Sequence, residues 1–362
     1  MIAINGRFLT QGLTGVQRYA REMTRALDAL ASSGPGSGPG SGEAPAMRLI
    51  APTGAAGLEA FPHLAPVSAG TRGGQLWEQL DLPRAARGDF LLNLGNTAPV
   101  IQGRNQAVVI HDAGVFDTPE SYSWKFRNWY RGLHRTLVFR GAHLLSVSEF
   151  SAGRIGANLG LDPAGIGVTL EGGEHILREP ADETMLARHG LTRHGYALVI
   201  GTGAAHKNLA ALHHAIGALA ARGLLLAVAG TKDASVFQQD GAPAEAHVKP
   251  LGRVSDAELR ALYEGALCLV FPSRYEGFGL PPVEAMWCGC PVIASRAGAV
   301  PEVCGEAALW FDAAHPAQLG EAVARLADDA NLRETITAAG RARTAQFSWD
   351  AAARRLLGFL PR

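Results

Sequence analysis

Cys268-Leu-Val-Phe271 is a short, wholly apolar run that ends at Pro272-Ser273 and leads into Tyr275-Glu-Gly-Phe-Gly-Leu-Pro-Pro-Val-Glu284. A run of this kind reads as a buried strand leaving a sheet. Pro281 and Pro282 suit the first turn of a helix, where a missing amide hydrogen costs nothing. That helix is expected to continue through Met286 and to stop at Gly289. The backbone N–H groups of Gly277, Phe278 and Gly279 can point at an anion, and the helix dipole adds to the attraction. A strand that passes through a glycine loop into a helix is the building block of an α/β sheet covered by helices.

The same alternation recurs along the chain. Ile2–Asn5 is a strand, Gly12-Leu-Thr-Gly15 a loop, and Val16 to Leu30 an amphipathic helix with Val16, Tyr19, Ala20, Met23 and Leu27 on one face. Further strands are expected at 48–51, 90–93, 107–110 and 143–147. After Gly172-Gly173 the pattern restarts, with a strand at 196–200, a helix at 209–221, a strand at 224–229, a helix at 255–263 and the run at Cys268. With 362 residues the chain exceeds the ~250 that one core usually serves, so two doubly wound domains are expected. Ser32 to Pro45 is almost entirely Ser, Gly, Pro and Ala and reads as a flexible surface insertion.

Bulk properties exclude several functions. Lys plus Arg and Asp plus Glu are both 33, so no overall field recruits nucleic acid. No apolar run approaches the ~18 residues needed to span a bilayer. The first residues lack the basic and apolar regions of a signal peptide, which gives a cytoplasmic expectation. Cys268, Cys288, Cys290 and Cys304 show no metal-ligand spacing and read as buried thiols.

Glu276 and Glu284 flank the candidate anion site. As carboxylates they would repel phosphate, but they make sense as acceptors of hydrogen bonds from hydroxyls. An anion between two polyols is the chemistry of a nucleotide sugar. The segment resembles the Glu-x7-Glu motif of retaining glycosyltransferases with the GT-B fold, in particular the GT4 family and its bacterial polysaccharide mannosyltransferases. Val270-Phe-Pro-Ser273 before it, and Cys290-Pro-Val-Ile-Ala-Ser295 and Gly298-Ala-Val-Pro-Glu302 after it, carry the likeness further. The resemblance implies two Rossmann-like doubly wound parallel-sheet domains. They would occupy 1–175 on the acceptor side and 176–345 on the nucleotide-sugar side, with a helix at 346–362 crossing back to the first. It also implies retention of anomeric configuration, no cofactor and no metal.

Roles follow from the same resemblance. Tyr196-Ala-Leu-Val-Ile-Gly-Thr-Gly203 leads to His206-Lys207-Asn208, where Lys207 matches the phosphate-binding lysine; many relatives carry Arg where His206 stands. Arg253 and Val254 lie near the base. Gly15, Gly203, Ser273, Gly277, Phe278, Gly279 and Leu280 complete the donor site. Glu276 would hold the donor sugar and Glu284 the ribose. His111, at the end of the apolar strand Ala107–Ile110, matches the first-domain histidine that approaches the transferred sugar, and makes a catalytic set with Lys207 and Glu276. Gly12, Thr14 and Arg18 match the loop under the diphosphate and acceptor. Asp112 either orients the imidazole on the acceptor side or caps the next turn. Ser148-Glu-Phe-Ser151 reads mainly as a helix cap.

From Glu120 to Glu149 no acidic residue intervenes, while Lys125, Arg127, Arg131, Arg135 and Arg140 alternate with Trp124, Phe126, Trp129 and Tyr130. Two readings are open: residues 122–140 lie on an anionic membrane at the inner face of the plasma membrane, or they form a solvated helix whose aromatics face the core. The functional expectation is transfer of a sugar, mannose by preference, from a nucleotide sugar to a saccharide or polyprenyl-diphosphate-linked acceptor in surface polysaccharide synthesis. The alternatives are another GT-B enzyme, such as a nucleotide-sugar epimerase, and a non-catalytic sugar-binding protein.

Overall fold

The computed structural model describes residues 1–32, 45–201, 205–230 and 246–361. The insertion expected at 32–45 therefore lies, apart from its two end residues, outside the described residues, as does Gly203. The chain divides into two compact units, Met1–Glu171 with Trp349–Arg362, and Gly172–Ser348.

The first unit holds a seven-stranded sheet of Ile2–Asn5 (β1), Met47–Pro52 (β2), Val67–Ala69 (β3), Phe90–Asn93 (β4), Gln106–Val109 (β5), His143–Ser146 (β6) and Gly167–Val168 (β7). The strand order is β3-β2-β1-β4-β5-β6-β7, and every pairing is parallel. Central strands such as β1 and β5 are buried along their whole length. Helices cover both faces of a parallel sheet, so its strands are apolar without alternation. Among its described residues before 172, the helices of eight or more residues are Gly15–Ser32 (α1), Trp124–Phe139 (α2) and Glu149–Leu159 (α3). In α1, Tyr19, Ala20, Met23 and Leu27 recur at helical spacing and are buried. Ser148 caps α3, its hydroxyl accepting the Ser151 amide at 3.0 Å.

The second unit holds six parallel strands, Tyr196–Ile200 (β8), Leu225–Ala229 (β9), Val248–Gly252 (β10), Cys268–Phe271 (β11), Val292–Ser295 (β12) and Ala308–Phe311 (β13), in the order β10-β9-β8-β11-β12-β13. Pro250 is accommodated because β10 is an edge strand, with a register shift between Pro250 and Gly252. Its longer helices are Leu212–Ala220 (α4), Asp256–Gly265 (α5), Leu280–Trp287 (α6), Ala317–Asp328 (α7) and Ala330–Thr344 (α8). The helix expected at 209–221 opens as a 3-10 turn, Leu209–Ala211, before α4. Leu212, Ile216 and Leu219 of α4 share a core with Leu319, Val323 and Leu326 of α7. A Cβ at Gly320 would lie 2.8 Å from the His214 carbonyl oxygen, so the glycine permits this close approach.

The last helix, Trp349–Gly358 (α9), belongs to the first unit. Its Trp349 ring meets Tyr19 of α1 edge to face, with centroids 5.8 Å apart. Among the described residues no helix is long and apolar enough to cross a membrane.

Each sheet changes direction once. The order reverses beside the first strand, between β1 and β4 in one unit and between β8 and β11 in the other. The crevice beyond the carboxyl ends of such a strand pair is where open α/β sheets bind ligands.

Candidate functional site

In the second unit the reversal point brings together two charged side chains far apart in sequence. β8 leads to the 3-10 turn Ala205–Lys207, and β11 leads through Pro272 and Ser273 to Glu276. The Lys207 ammonium donates to Glu276 Oε1 at 2.7 Å, and it lies 5.6 Å from the centre of the Phe271 ring. Asn208 sets this position. Its backbone is left-handed (φ +53°), and its side-chain Nδ2 donates to the Pro272 carbonyl at 3.1 Å, tying the lysine turn to the end of β11.

The Glu276 backbone is held from its other side. Its carbonyl accepts the Ala299 amide at 3.0 Å, and Gly298 has φ +60°. A Cβ at Gly298 would fall 2.5 Å from the Glu276 carbonyl oxygen and 2.6 Å from its nitrogen. Only glycine admits both that conformation and that approach.

Gly279, at φ +113°, is the N-cap of α6, Leu280 is its first residue, and Pro281 and Pro282 fill the first turn. Gly289, at φ +70°, ends the helix in the left-handed conformation common after a C-cap. Among the described residues the Phe278 and Gly279 amides donate no hydrogen bond. The Phe278 ring is buried and meets Phe347 edge to face at 5.7 Å. Ser273 is buried as well, and its hydroxyl has no hydrogen-bond partner among the described residues.

Glu284 lies inside the unit. Its Oε1 accepts from His175 Nε2 at 2.9 Å and its Oε2 from the Tyr263 hydroxyl at 2.8 Å. Burial and the Glu284 charge push the Tyr263 phenol well above its ordinary range, so it stays protonated as a donor. Arg253 and Val254 follow β10, two strands from β8, which places them roughly 10 Å along the sheet from the lysine turn. Arg253 is exposed, and Ser255 next to it caps α5 through a reciprocal box with Glu258.

In the first unit His111 stands just past β5 and is buried. Its Nε2 faces the Leu94 carbonyl at 3.0 Å, its amide donates to Asn96 Oδ1 at 2.7 Å, and its Nδ1 is 3.8 Å from Glu171 Oε1. The Tyr19 ring packs edge to face on the imidazole at 4.7 Å. Asp112 accepts the Gly114 amide at 2.6 Å. Of its two sequence readings the turn cap is the one observed; a backbone carbonyl orients the imidazole.

Gly12, Thr14 and Gly15 are exposed, and the loop is tied by Thr14 Oγ1 to Gln17 Oε1 and by Gln17 to Gln11 at 3.3 Å. Arg18 is largely covered, with Nη1 4.0 Å from Glu22 Oε1. The reversal point of this sheet carries a closed polar network. Glu78 accepts from Asn5 at 2.8 Å and Thr97 at 3.0 Å, while Arg7 reaches Thr97 at 2.9 Å and lies 3.3 Å from Glu78. Glu78 sits on a π turn, Trp77–Asp81. Burial raises its carboxyl above the usual range, although Arg7, Asn5 and Thr97 oppose the shift.

The α2 helix decides between its two sequence readings in part. Trp124, Trp129 and Phe139 are 69%, 47% and 88% exposed, so these aromatics do not face the core; Leu133, His134 and Leu137 do. Arg131 is engaged inside the unit, donating to the Val115 carbonyl at 2.7 Å and the Phe116 carbonyl at 3.3 Å. Lys125, Arg135 and Arg140 are exposed.

Residues 183–343 match the family of glycosyl transferases group 1. This part of the chain belongs to the group 1 glycosyl transferases. The matched span contains Lys207, Glu276 and Glu284. The chain is 36% identical over 253 residues to O-antigen chain mannosyltransferase B of Escherichia coli, covering 66% of each. It is 31% identical over 220 residues to O-antigen chain mannosyltransferase RfbU of Salmonella typhimurium, covering 60% of this chain and 59% of that one. It thus spans no more than about two thirds of the length of the curated relatives it matches. A solved structure of Anabaena HepE in complex with UDP and glucose superposes with a TM-score of 0.72 at 18% identity, over 98% of this chain and 97% of that one. The fold is GT-B, as the glutamate motif and the restarting α/β pattern imply.

Sequence reasoning passed over several residues that the fold brings to these places. His175, Tyr263 and Glu171 contact singled-out side chains, and Arg7 with Glu78 occupies a reversal point. Only the Gly172-Gly173 pair hinted at His175. A Cβ at Gly173 would fall 2.6 Å from Val283 Cγ1 and 2.7 Å from Trp287 Cδ1, so that glycine lets the turn carrying His175 lie directly on α6.

Proposed function

We propose that the chain transfers mannose from a nucleotide sugar, GDP-mannose by preference, to a saccharide or lipid-linked saccharide acceptor in surface polysaccharide synthesis. The observation that carries this reading is the Lys207–Glu276 pair at the β8/β11 reversal point, beside the undonated Phe278 and Gly279 amides. An ammonium has three donors. Glu276 takes one, and two remain for the oxygens of a departing diphosphate. The amides at the α6 N-terminus and the buried Ser273 hydroxyl supply further donors to the same anion. Glu276 accepts Lys207 through Oε1 and has Oε2 for a hydroxyl of the transferred sugar. Glu284 accepts the ribose hydroxyls. His111, with its Nε2 held by the Leu94 carbonyl, serves the acceptor or the sugar through its other nitrogen.

The reaction proceeds with retention. The bond from the anomeric carbon to the diphosphate oxygen breaks, the acceptor oxygen attacks the same face, and its proton passes to the departing diphosphate. Positioning and charge stabilisation do the catalysis, and no metal is required. The similarity to proteins named as O-antigen mannosyltransferases supports the choice of mannose and of a polysaccharide acceptor. A screen of GDP-, UDP- and dTDP-sugars in the presence of EDTA, with product anomers read by NMR, tests all three parts. Transfer from GDP-mannose giving an α-linked product is expected. Interconversion of the donor sugar would instead indicate an epimerase, and binding without turnover a sugar-binding protein.

The exposed basic and aromatic face of α2 supports peripheral contact with an anionic membrane on the cytoplasmic side. Lys125→Glu combined with Arg135→Glu should abolish co-sedimentation with phosphatidylserine-containing vesicles; undiminished binding would remove this contact.

A further inference from the structure

We propose that His175 and Tyr263 are positioning residues that fix Glu284 so that its remaining lone pairs present a receptor for a vicinal diol. The inference rests on the reading that Glu284 binds the donor ribose, and it adds the two residues that make such binding selective.

The geometry assigns one donor to each carboxylate oxygen, His175 Nε2 to Oε1 at 2.9 Å and the Tyr263 hydroxyl to Oε2 at 2.8 Å. The donors come from two different elements. His175 lies on the 3-10 turn Glu174–Leu177, seated on α6 by the missing side chain of Gly173, and Tyr263 lies near the end of α5. The His175 and Tyr263 side chains are fully buried, so neither carries a contact to solvent that would explain its polarity.

The pair also locks the carboxylate plane. A carboxylate offers about four lone-pair directions. With one on each oxygen occupied, the two left over form a matched pair, which suits two adjacent hydroxyls of a ribose and leaves one acceptor unsatisfied when a hydroxyl is missing. A buried site built to meet a hydroxyl rejects the analogue that lacks it more strongly than an apolar pocket rejects an extra group.

The test compares binding of a nucleoside diphosphate and its 2′-deoxy analogue by calorimetry, together with donor KM and kcat, in the full chain. Tyr263→Phe keeps the ring and removes only the hydroxyl. It should weaken the ribonucleotide about tenfold and bring the ratio of ribo to deoxy affinity close to one, while kcat at saturating donor stays within about twofold. His175→Ala should behave likewise, and His175→Gln, which retains an N–H near the Nε2 position, should recover most of the ratio. A merely structural role would lower both nucleotides equally and would not be rescued by the glutamine. If Glu284→Ala loses ribo selectivity but Tyr263→Phe and His175→Ala keep it, the positioning assignment is wrong. If Glu284→Ala itself retains full selectivity, the ribose reading of Glu284 fails first and the assignment falls with it.

Discussion

The two sheets reverse at equivalent places, between their first and fourth strands, and each reversal point carries a cation beside a glutamate. Their solvation is opposite. Arg7 and Glu78 in the first unit have side chains 8% and 1% exposed and sit in a closed network with Asn5 and Thr97, whereas Lys207 and Glu276 in the second are 22% and 15% exposed. Each cation sits on a 3-10 turn that comes after the first strand of its sheet, Gly6–Thr10 in one case and Ala205–Lys207 in the other. One topology therefore yields two kinds of charge pair. The buried one has all its partners inside the protein and specifies local structure, while the open one, on the proposed function, keeps donors and acceptors in reserve for a ligand.

The comparison breaks most visibly through the buried pair. Arg7→Ala leaves the Glu78 carboxylate without its cation, and the loss of one partner of a buried pair costs about 3–5 kcal/mol. Chemical denaturation should show a transition shifted by this amount, and Arg7→Met with Glu78→Leu should regain much of it. If Arg7→Ala left stability unchanged, the closed character of this network would be refuted.

The open pair should respond in the opposite way. On the proposed function, Lys207→Ala removes a cation aimed at the departing charge, and loss of one such group lowers turnover about 10²–10³-fold. Its effect on stability should stay under about 1 kcal/mol, since a partly exposed ion pair contributes little. A large fall in melting temperature with turnover intact would make the second pair structural like the first.

The smallest effect concerns pH. His134 Nε2 donates to the Asn96 carbonyl at 2.9 Å, and burial holds its pKa below the ordinary value, although the Asn96 carbonyl and Asp112 oppose the shift. The unfolded chain binds this proton more readily, at about pH 6.5. The stability from neutral His134 is therefore present above that pH and lost as pH falls toward the folded pKa. Between pH 7 and 5.5 the first unit should lose about 1 kcal/mol more in the wild type than in His134→Gln, measured by denaturant titration at both pH values.

What could be read from the chain follows burial. β1, β4, β8 and β11 appear in the sequence as contiguous apolar runs because helices cover both faces of each sheet. Val67–Ala69, Gly167–Val168 and Ala308–Phe311 escaped that reading, and all three are edge strands, short or only partly buried. Ser148 was legible as a cap because a cap is a local contact. The site was legible as residue types and not as partnerships. Lys207 meets Glu276 across 69 positions and His175 meets Glu284 across 109, separations that leave no periodic trace. The aromatic stretch of α2 was ambiguous for a related reason: periodicity gives a helix its faces, but only the packed neighbours decide which face turns inward.

The first unit is assembled from two stretches of chain, with α9 closing against α1 after the whole of the second unit has intervened. During synthesis, residues 172–348 leave the ribosome as one continuous piece and can fold at once. The earlier-made sheet waits for Trp349 and the residues behind it, on the order of ten seconds or more at ~5–20 residues per second. The half that is translated first is therefore the half completed last, and the nascent chain carries an uncovered apolar surface around Tyr19 throughout that interval.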